Sequence, residues 1–359
     1  MRIHIVYKKD PSRVSTPWSI GNRLFDYFSK RYEVIYHSPS RDIIEAPKVG
    51  DILLGHPSWN PTGVFSRLVR MQGWKKKVAI HPICPVDLAS YAHLASEVAH
   101  CDAFLAITGP VWIDRLPKTC FRSWADKLTH LNLAVDTTEL PFVKTRSQST
   151  NRKFLFIGNN TPFKNITFLD SLAKSMPEVE FHRIGPYQRR YRYLKQHGKL
   201  ELNDTTVLEF LGQFDFMITM SNSDANPTTI LEAMCLGLIP VAPLGSGYYE
   251  ENGVQLISGS SLDEAKSKIW ELINIPERQL EELRESNLIR VKRDYTWDVF
   301  LSKVEKTLLS SVAEDFTLPH KERVLCLLHR LSSYRSPLKY SRLPRAVFDL
   351  TTTSRLKGE

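Results

Sequence analysis

The sequence lacks the features that mark disulfide-rich, zinc-binding or membrane-spanning proteins. Its five cysteines are widely scattered and odd in number, and no Cys-x-x-Cys pair occurs. This spacing argues against a disulfide framework and against a zinc site. The longest nearly apolar stretch, residues 103–113, is too short to span a bilayer. The first residues show no long apolar region with a small-residue cleavage site, so we expect no secretory signal and a cytoplasmic protein.

Two common phosphate-binding fingerprints are also missing. No Gly-x-Gly-x-x-Gly follows the first apolar segment, where the sequence reads Lys-Lys-Asp-Pro-Ser-Arg-Val-Ser, and no Walker A loop occurs. The glycines of the first fingerprint, and the glycines and lysine of the second, make the phosphate contacts in those proteins. Their absence argues against an NAD-binding protein and against a P-loop NTP-binding protein.

Positive charge is concentrated at the end of the chain. The formal net charge is +9, and residues 316–359 hold nine basic and three acidic side chains, about +6 of that total. The tail has no nucleic-acid motif, so we favour an anionic membrane surface over DNA or RNA as its partner. Residues 323–331 form an amphipathic pattern with basic flanks. Two interpretations stay open: this segment lies on a membrane, or it packs on the first domain.

Short apolar segments alternate with helical patterns, and this alternation occurs twice. It predicts an α/β fold in which parallel strands are covered by helices on both faces. The polar stretch at 145–152 separates the two series. We therefore predict two Rossmann-like domains facing a cleft: residues 1–145, residues 146–300, and a crossover helix with a basic tail over 301–359. Ligands of such sheets bind in the loops after the carboxyl ends of the strands.

The segment 221–243 carries the clearest chemistry. It follows the apolar strand 216–220, and its helix is predicted over 228–236. Asn226 is the expected N-cap, Pro227 the first helical residue and Gly237 the residue that ends the helix. The start of this helix, near Thr228 and Thr229, then faces the ligand site, where free N–H groups and the helix dipole favour a phosphate.

Two carboxylates flank this predicted phosphate site. Asp224 precedes the helix and Glu232 lies in its second turn. Carboxylates do not bind phosphate, but each can accept hydrogen bonds from two hydroxyl groups. Their positions therefore favour the hydroxyls of a sugar and of a ribose.

Here the chain resembles a large family of retaining glycosyltransferases of the GT-B fold, often numbered four. That family has two acids with seven residues between them, the second within Leu-Glu-Ala-Met. Asp224 and Glu232, in Leu231-Glu-Ala-Met234, match this spacing, with Asp in place of the usual first Glu. The resemblance implies that Asp224 contacts the sugar of a nucleotide-sugar donor and Glu232 its ribose.

Other residues fall in the family's order. In Gly158-Asn-Asn-Thr-Pro-Phe-Lys164, the lysine matches one that holds the diphosphate, whereas Asn159 stands where the family has an arginine. This departure removes a bidentate phosphate donor. Two alternatives stay open: Arg183 compensates for it, or the donor is held less tightly. Gly185 and Tyr187 stand where the nucleotide base packs in that family. His81 ends a predicted strand of the first domain at a position where the family often has a histidine near the sugar.

The resemblance implies transfer of a hexose-type sugar, with retention, from a nucleoside-diphosphate sugar to a glycan or lipid-linked acceptor. It implies no cofactor and no metal, since the helix start and Lys164 supply positive charge. The resemblance also implies that His81, Asp224 and Lys164 are catalytic residues. Two alternatives stay open: a GT-B epimerase or phosphorylase, and a catalytically weak nucleotide-sugar-binding scaffold at a membrane.

Overall fold

The computed structural model describes residues 1–9, 19–39, 44–57, 63–84, 94, 97–143, 152–186, 191–200 and 204–311. Tyr187, most of the polar stretch at 145–152 and the basic tail from residue 316 lie outside these ranges. No helix in the described part is long and apolar enough to cross a membrane.

The chain folds into two compact units. The first contains Met1–Thr108, Trp112–Leu131 and the chain from Leu301 onward; the second contains Gly109–Val111 and Asn132–Phe300. Each unit is built on its own six-stranded sheet, and the strand pairs recorded in both sheets are parallel.

The sheet of the first unit has the order β2-β1-β3-β4-β5-β6. The strand order reverses between β1 and β3, which is where α/β sheets of this kind place their ligands. The elements are β1 Arg2–Val6, α1 Ile20–Phe28, β2 Glu33–His37, β3 Asp51–Gly55, α2 Val64–Leu68, β4 Trp74–Pro82, β5 Ala103–Ile107, α3 Pro110–Arg115 and β6 Leu128–Leu131.

The sheet of the second unit has the order β12-β11-β10-β7-β8-β9, and its strand order reverses between β7 and β10. Counted within the unit, this is the Rossmann order 3-2-1-4-5-6. The elements are β7 Lys153–Ile157, α4 Ile166–Ser175, β8 Glu180–Ile184, β9 Lys195–Gln196, α5 Thr205–Leu211, β10 Phe216–Ile218, α6 Thr228–Leu236, β11 Ile239–Ala242, β12 Gln255–Leu256, α7 Leu262–Ile273 and α8 Glu277–Asp294. The helix α9, Trp297–Leu309, begins in the second unit and ends in the first.

The central strands of both sheets are fully buried, as is typical of parallel sheets that helices cover on both faces. Every residue of β1, β3 and β5 is buried, and so are all residues of β10 and β11. Strands of this kind read as continuous apolar runs because helices lie on both faces of the sheet. The predicted fold class, two Rossmann-like α/β domains, is therefore confirmed.

Three short strands were not predicted from the sequence, and several element bounds differ from the prediction, most clearly those of α5. The periodicity predicted a helix over 208–214, but α5 spans Thr205–Leu211. Asp204 causes the earlier start, because its side chain accepts a hydrogen bond from the N–H of Thr206 and caps the helix. The strands β6, β9 and β12 were not predicted, since strands of two to four residues carry little periodicity.

Candidate functional site

The candidate site lies at the carboxyl ends of β7 and β10, the two strands between which the order of the second sheet reverses. The loop after β7 holds a short turn, Pro162–Lys164, and the loop after β10 holds Asp224. A backbone hydrogen bond joins the two loops: the N–H of Asn222 donates to the carbonyl of Phe163 over 2.9 Å. The topology thus brings together residues that are 60 positions apart in the sequence.

Lys164 and Asp224 form an ion pair in this site. The Lys164 Nζ donates to the Asp224 carboxylate, and only 13% and 14% of the two side chains are exposed. Asp224 is further fixed by its own N–H, which donates to the carbonyl of Gly245 over 2.9 Å. The two residues assigned to phosphate and sugar are therefore adjacent.

The helix α6 begins beside this ion pair, but its cap differs from the prediction. Pro227 occupies the N-cap position, Thr228 is the first helical residue, and no side chain caps the helix. The prediction of Asn226 as N-cap was wrong. Its Oδ1 instead accepts from the Leu133 N–H over 3.3 Å and from the Tyr248 hydroxyl over 3.1 Å.

The helix start is therefore open to an external acceptor. The N–H of Ile230 donates to the Pro227 carbonyl over 3.1 Å, whereas those of Thr228 and Thr229 have no acceptor among the described residues. Thr228 is buried and Thr229 is half-buried at this end. Gly237 ends the helix at the predicted position, with a φ of 83° that glycine adopts without strain. An anion is the ligand that such a helix start favours.

Glu232 lies one turn into α6 and is 6% exposed. Burial raises the pKa of its carboxyl to about 7, and the charge of Lys164 opposes this shift. No hydrogen-bond partner of the carboxyl occurs within the described ranges. A buried carboxylate without partners is costly, so this side chain is poised to accept hydrogen bonds from a ligand.

The predicted glycines of the site have a structural explanation. The loops after β7 and β8 cross at Gly158 and Gly185, where a Cβ on Gly185 would lie 2.0 Å from the Gly158 carbonyl oxygen. Their N–H groups are engaged within the fold: Gly158 donates to Ile184 and Gly185 to Gly198. These glycines permit the close crossing of the loops, whereas other groups nearby must supply donors to a ligand.

The two asparagines after Gly158 have different environments. Asn159 is exposed, and its Oδ1 accepts from the Thr161 hydroxyl over 3.1 Å. Asn160 is half-buried, and its Oδ1 faces the guanidinium of Arg183 at 3.2 Å. Arg183 itself is fully buried. The sequence alone could not distinguish these adjacent asparagines.

The first unit has its own cluster at the carboxyl ends of β1, β3 and β4. The Nδ1–H of His81 donates to the Pro82 carbonyl over 2.6 Å, because a carbonyl oxygen can only accept a hydrogen bond. The ring of His56 lies 4.4 Å from that of His81, centroid to centroid, and 5.2 Å from that of Tyr7. Burial lowers the pKa of His56 to about 4, so this ring is neutral at pH 7. The sequence prediction included His81 and missed His56.

Solved structures of known proteins share this fold. A sucrose-phosphate synthase from Thermosynechococcus elongatus superposes with a TM-score of 0.65 at 11% identity, over 85% of this chain and 97% of that one. A glycosyltransferase from Rickettsia africae gives 0.60 at 12% identity, over 86% and 98%. TarM gives 0.55 at 15% identity, over 72% of this chain but only 55% of its own. TarM of S. aureus has also been solved in complex with UDP.

These similarities establish the GT-B fold of the chain. No protein-family model matches the sequence, and a search of curated proteins finds no match. Activity must therefore be argued from the site residues.

Proposed function

We propose that this chain is a glycosyltransferase that uses a nucleoside-diphosphate sugar as its donor. The observation that carries the proposal is the meeting of Lys164, Asp224 and the open start of α6 between β7 and β10. Cation and helix start suit a diphosphate, and the carboxylates of Asp224 and Glu232 suit hydroxyl groups. The solved proteins that share the fold include a named glycosyltransferase and the UDP-bound TarM.

In the proposed reaction a hexose-type sugar passes to a glycan or lipid-linked acceptor with retention of configuration. The bond between the anomeric carbon and the diphosphate oxygen breaks, the acceptor oxygen forms the new bond, and the proton of the acceptor hydroxyl passes to the departing diphosphate. Negative charge then grows on the diphosphate, where Lys164 and the N–H groups at Thr228 and Thr229 stabilise it. These groups supply positive charge, so we propose no metal ion or cofactor.

On the acceptor side we propose a role for His81. The Pro82 carbonyl engages its Nδ1–H and so orients the ring, and we propose that the ring meets a sugar hydroxyl of the acceptor. The basic tail at 316–359 suits an anionic membrane surface on which a lipid-linked acceptor is presented. Co-sedimentation with anionic vesicles tests this part: replacing the nine basic residues of the tail by Gln should release the full chain.

The donor site is tested with Asp224→Ala and Glu232→Ala, each assayed with labelled sugar nucleotides and a mixture of acceptors. We expect transfer to fall at least about 100-fold in both variants, while circular dichroism shows a folded chain. Asp263→Ala and Glu264→Ala, which remove acids from the first turn of α7 in the same unit, are the matched controls. Full activity of the two site variants would refute the assignment, and sugar conversion without any acceptor would indicate an epimerase.

A further inference from the structure

Asn160, Arg183 and Tyr191 form a polar cluster beside the loops after β7 and β8. Arg183, on β8, is fully buried. One amino group of its guanidinium donates to the Asn160 Oδ1 over 3.2 Å and to the Pro186 carbonyl over 3.1 Å. The hydroxyl of Tyr191, a buried residue, donates to the same Asn160 Oδ1 over 3.1 Å.

These contacts determine which way the Asn160 amide is turned. A guanidinium can only donate hydrogen bonds, so the atom that faces it must be the amide oxygen and not the nitrogen. The oxygen has two lone pairs, and Arg183 and Tyr191 each occupy one of them. The Nδ2 group, with its two N–H donors, therefore faces neither Arg183 nor Tyr191, and it has no acceptor in the part of the chain that the structure describes.

Strand order shows where the loop that holds Asn160 lies in the site. β8 and β10 flank β7 on opposite sides. The loop after β7, which holds Asn160, therefore lies between Arg183 on β8 and the β10 loop that holds Asp224. Lys164, in the same loop as Asn160, already contacts Asp224 there. A buried positive charge at the oxygen also polarises the amide and strengthens its N–H groups as donors.

We propose that Asn160, and not Asn159, is the residue of this loop that binds the diphosphate, and that Arg183 and Tyr191 are positioning residues for its amide. Asn160 thus supplies two N–H donors in the loop from which the family's arginine is missing. This inference rests on the proposed function, since it takes a nucleoside diphosphate as the ligand. Asn159 is exposed and turned to Thr161, so it contributes little to binding.

A matched pair of isosteric substitutions, Asn160→Asp and Asn159→Asp, tests the proposal. Each adds one negative charge to the same loop. Asn160→Asp keeps an oxygen toward Arg183 and Tyr191 but replaces the two N–H donors by a second oxygen. The probes are UDP, GDP and ADP, titrated by calorimetry into the full chain, together with the free nucleoside of whichever diphosphate binds the wild type.

We expect Asn160→Asp to weaken binding of the diphosphate at least about 30-fold, because donors become repelling acceptors. Binding of the nucleoside should change less than about 3-fold, and Tm should not fall, since the new carboxylate faces a buried guanidinium. Asn159→Asp should lose no more than about 5-fold, by long-range repulsion alone. Tyr191→Phe removes one of the two contacts to Oδ1 and should weaken diphosphate binding about 3- to 10-fold.

Equal losses in the two Asp variants, or a loss in Asn160→Asp that is the same for nucleoside and diphosphate, would overturn the inference. A loss that follows a lowered Tm would overturn it as well, because it would indicate a structural role. If the wild type binds none of the three diphosphates, the proposed function fails and the inference fails with it. If the wild type binds a diphosphate and the variants bind it equally well, the inference is refuted while the proposed function is not.

Discussion

The Nζ of Lys164 and the carboxylate of Asp224 form an ion pair across the point where the strand order of the second unit reverses. In the proposed reaction Lys164 binds the diphosphate and Asp224 binds the sugar. The same two groups therefore neutralise each other until the donor arrives. Binding of the diphosphate must draw the ammonium toward phosphate oxygens, and the freed carboxylate can then accept hydrogen bonds from the sugar.

This relationship predicts opposite effects of two substitutions on binding of the nucleoside diphosphate without its sugar. Asp224→Asn releases Lys164, so affinity for the diphosphate should stay the same or rise by about 2- to 5-fold. Lys164→Met removes the cation, so affinity should fall about 10- to 100-fold. Titration calorimetry measures both, and sugar transfer should be lost in both. Equal weakening of diphosphate binding by the two variants would contradict this division of roles.

Glu232 should make stability depend on pH. The pKa of its carboxyl is about 7 in the folded chain, against an ordinary value of 4.5. Between these values the folded state binds the extra proton, so the free energy of unfolding falls as pH rises from about 4.5 to 7. Glu232→Gln removes this cost and should stabilise the protein at pH 8 by on the order of 1–3 kcal/mol.

Urea unfolding at pH 5 and pH 8 measures that difference, with Glu264→Gln on the surface of α7 as the control. The same Glu232→Gln variant should bind the nucleoside diphosphate more weakly, because a neutral amide replaces the carboxylate that accepts two ribose hydroxyls. Higher stability with weaker binding is the behaviour of a functional residue that costs stability. A variant less stable than the wild type at pH 8 would show that Glu232 is a packing residue.

His81 and His56 should differ from other histidines of the first unit in their effect on transfer. His81→Ala should lower kcat by about 100-fold or more, the range of a lost acid–base or hydrogen-bonding group. His56→Ala should lower it less, since His56 packs on the imidazole of His81 and positions it. His100→Ala lies away from these strand ends and serves as the control. If His56→Ala, like His100→Ala, gave the same kcat as wild type, His56 would have no part in the reaction; unchanged kcat in His81→Ala would refute the role of His81.

The sequence was most informative where local rules decide the structure. The end of α6 was predicted correctly, because Gly237 adopts without strain the left-handed conformation that ends a helix. The cap of α6 was predicted incorrectly, since the partners of Asn226, Leu133 and Tyr248, are distant in sequence. The local pattern favours Asn226 as the N-cap, but in the folded chain its side chain forms tertiary hydrogen bonds instead.

The contacts of the site that could not be predicted from the sequence depend on which strands are neighbours in the sheets. Nothing local indicates that β7 and β10 are neighbours, so the contact of Lys164 with Asp224 was not predictable from spacing. The same holds for His56, which meets His81 only because β3 pairs with β4. Asn160 differs from Asn159 through its contacts with Arg183, on β8, and Tyr191, both distant from it in the sequence.

The buried charges at the opposite ends of the second unit's strands should support stability and not activity. Asp215, just before β10, is 1% exposed and accepts from Arg284 over 2.9 Å and Arg152 over 3.4 Å. Glu277 at the start of α8 contacts the same two arginines over 2.9 Å and 2.6 Å. Asp215→Ala leaves two buried guanidinium groups with one acid fewer, so the second unit should lose about 3–5 kcal/mol of stability.

The control is Asp263→Ala, which breaks an exposed pair with Lys266 and should cost less than about 1 kcal/mol. Urea unfolding measures both variants. At temperatures where Asp215→Ala is folded, its affinity for the nucleoside diphosphate should equal that of the wild type, because the network lies at the amino ends of the strands and the candidate site at their carboxyl ends. Replacing Asp215 by Leu and Arg284 by Met together should recover part of the loss, since apolar side chains remove the uncompensated charge. A double variant less stable than Asp215→Ala would show that Arg284 stabilises the unit through contacts other than this network.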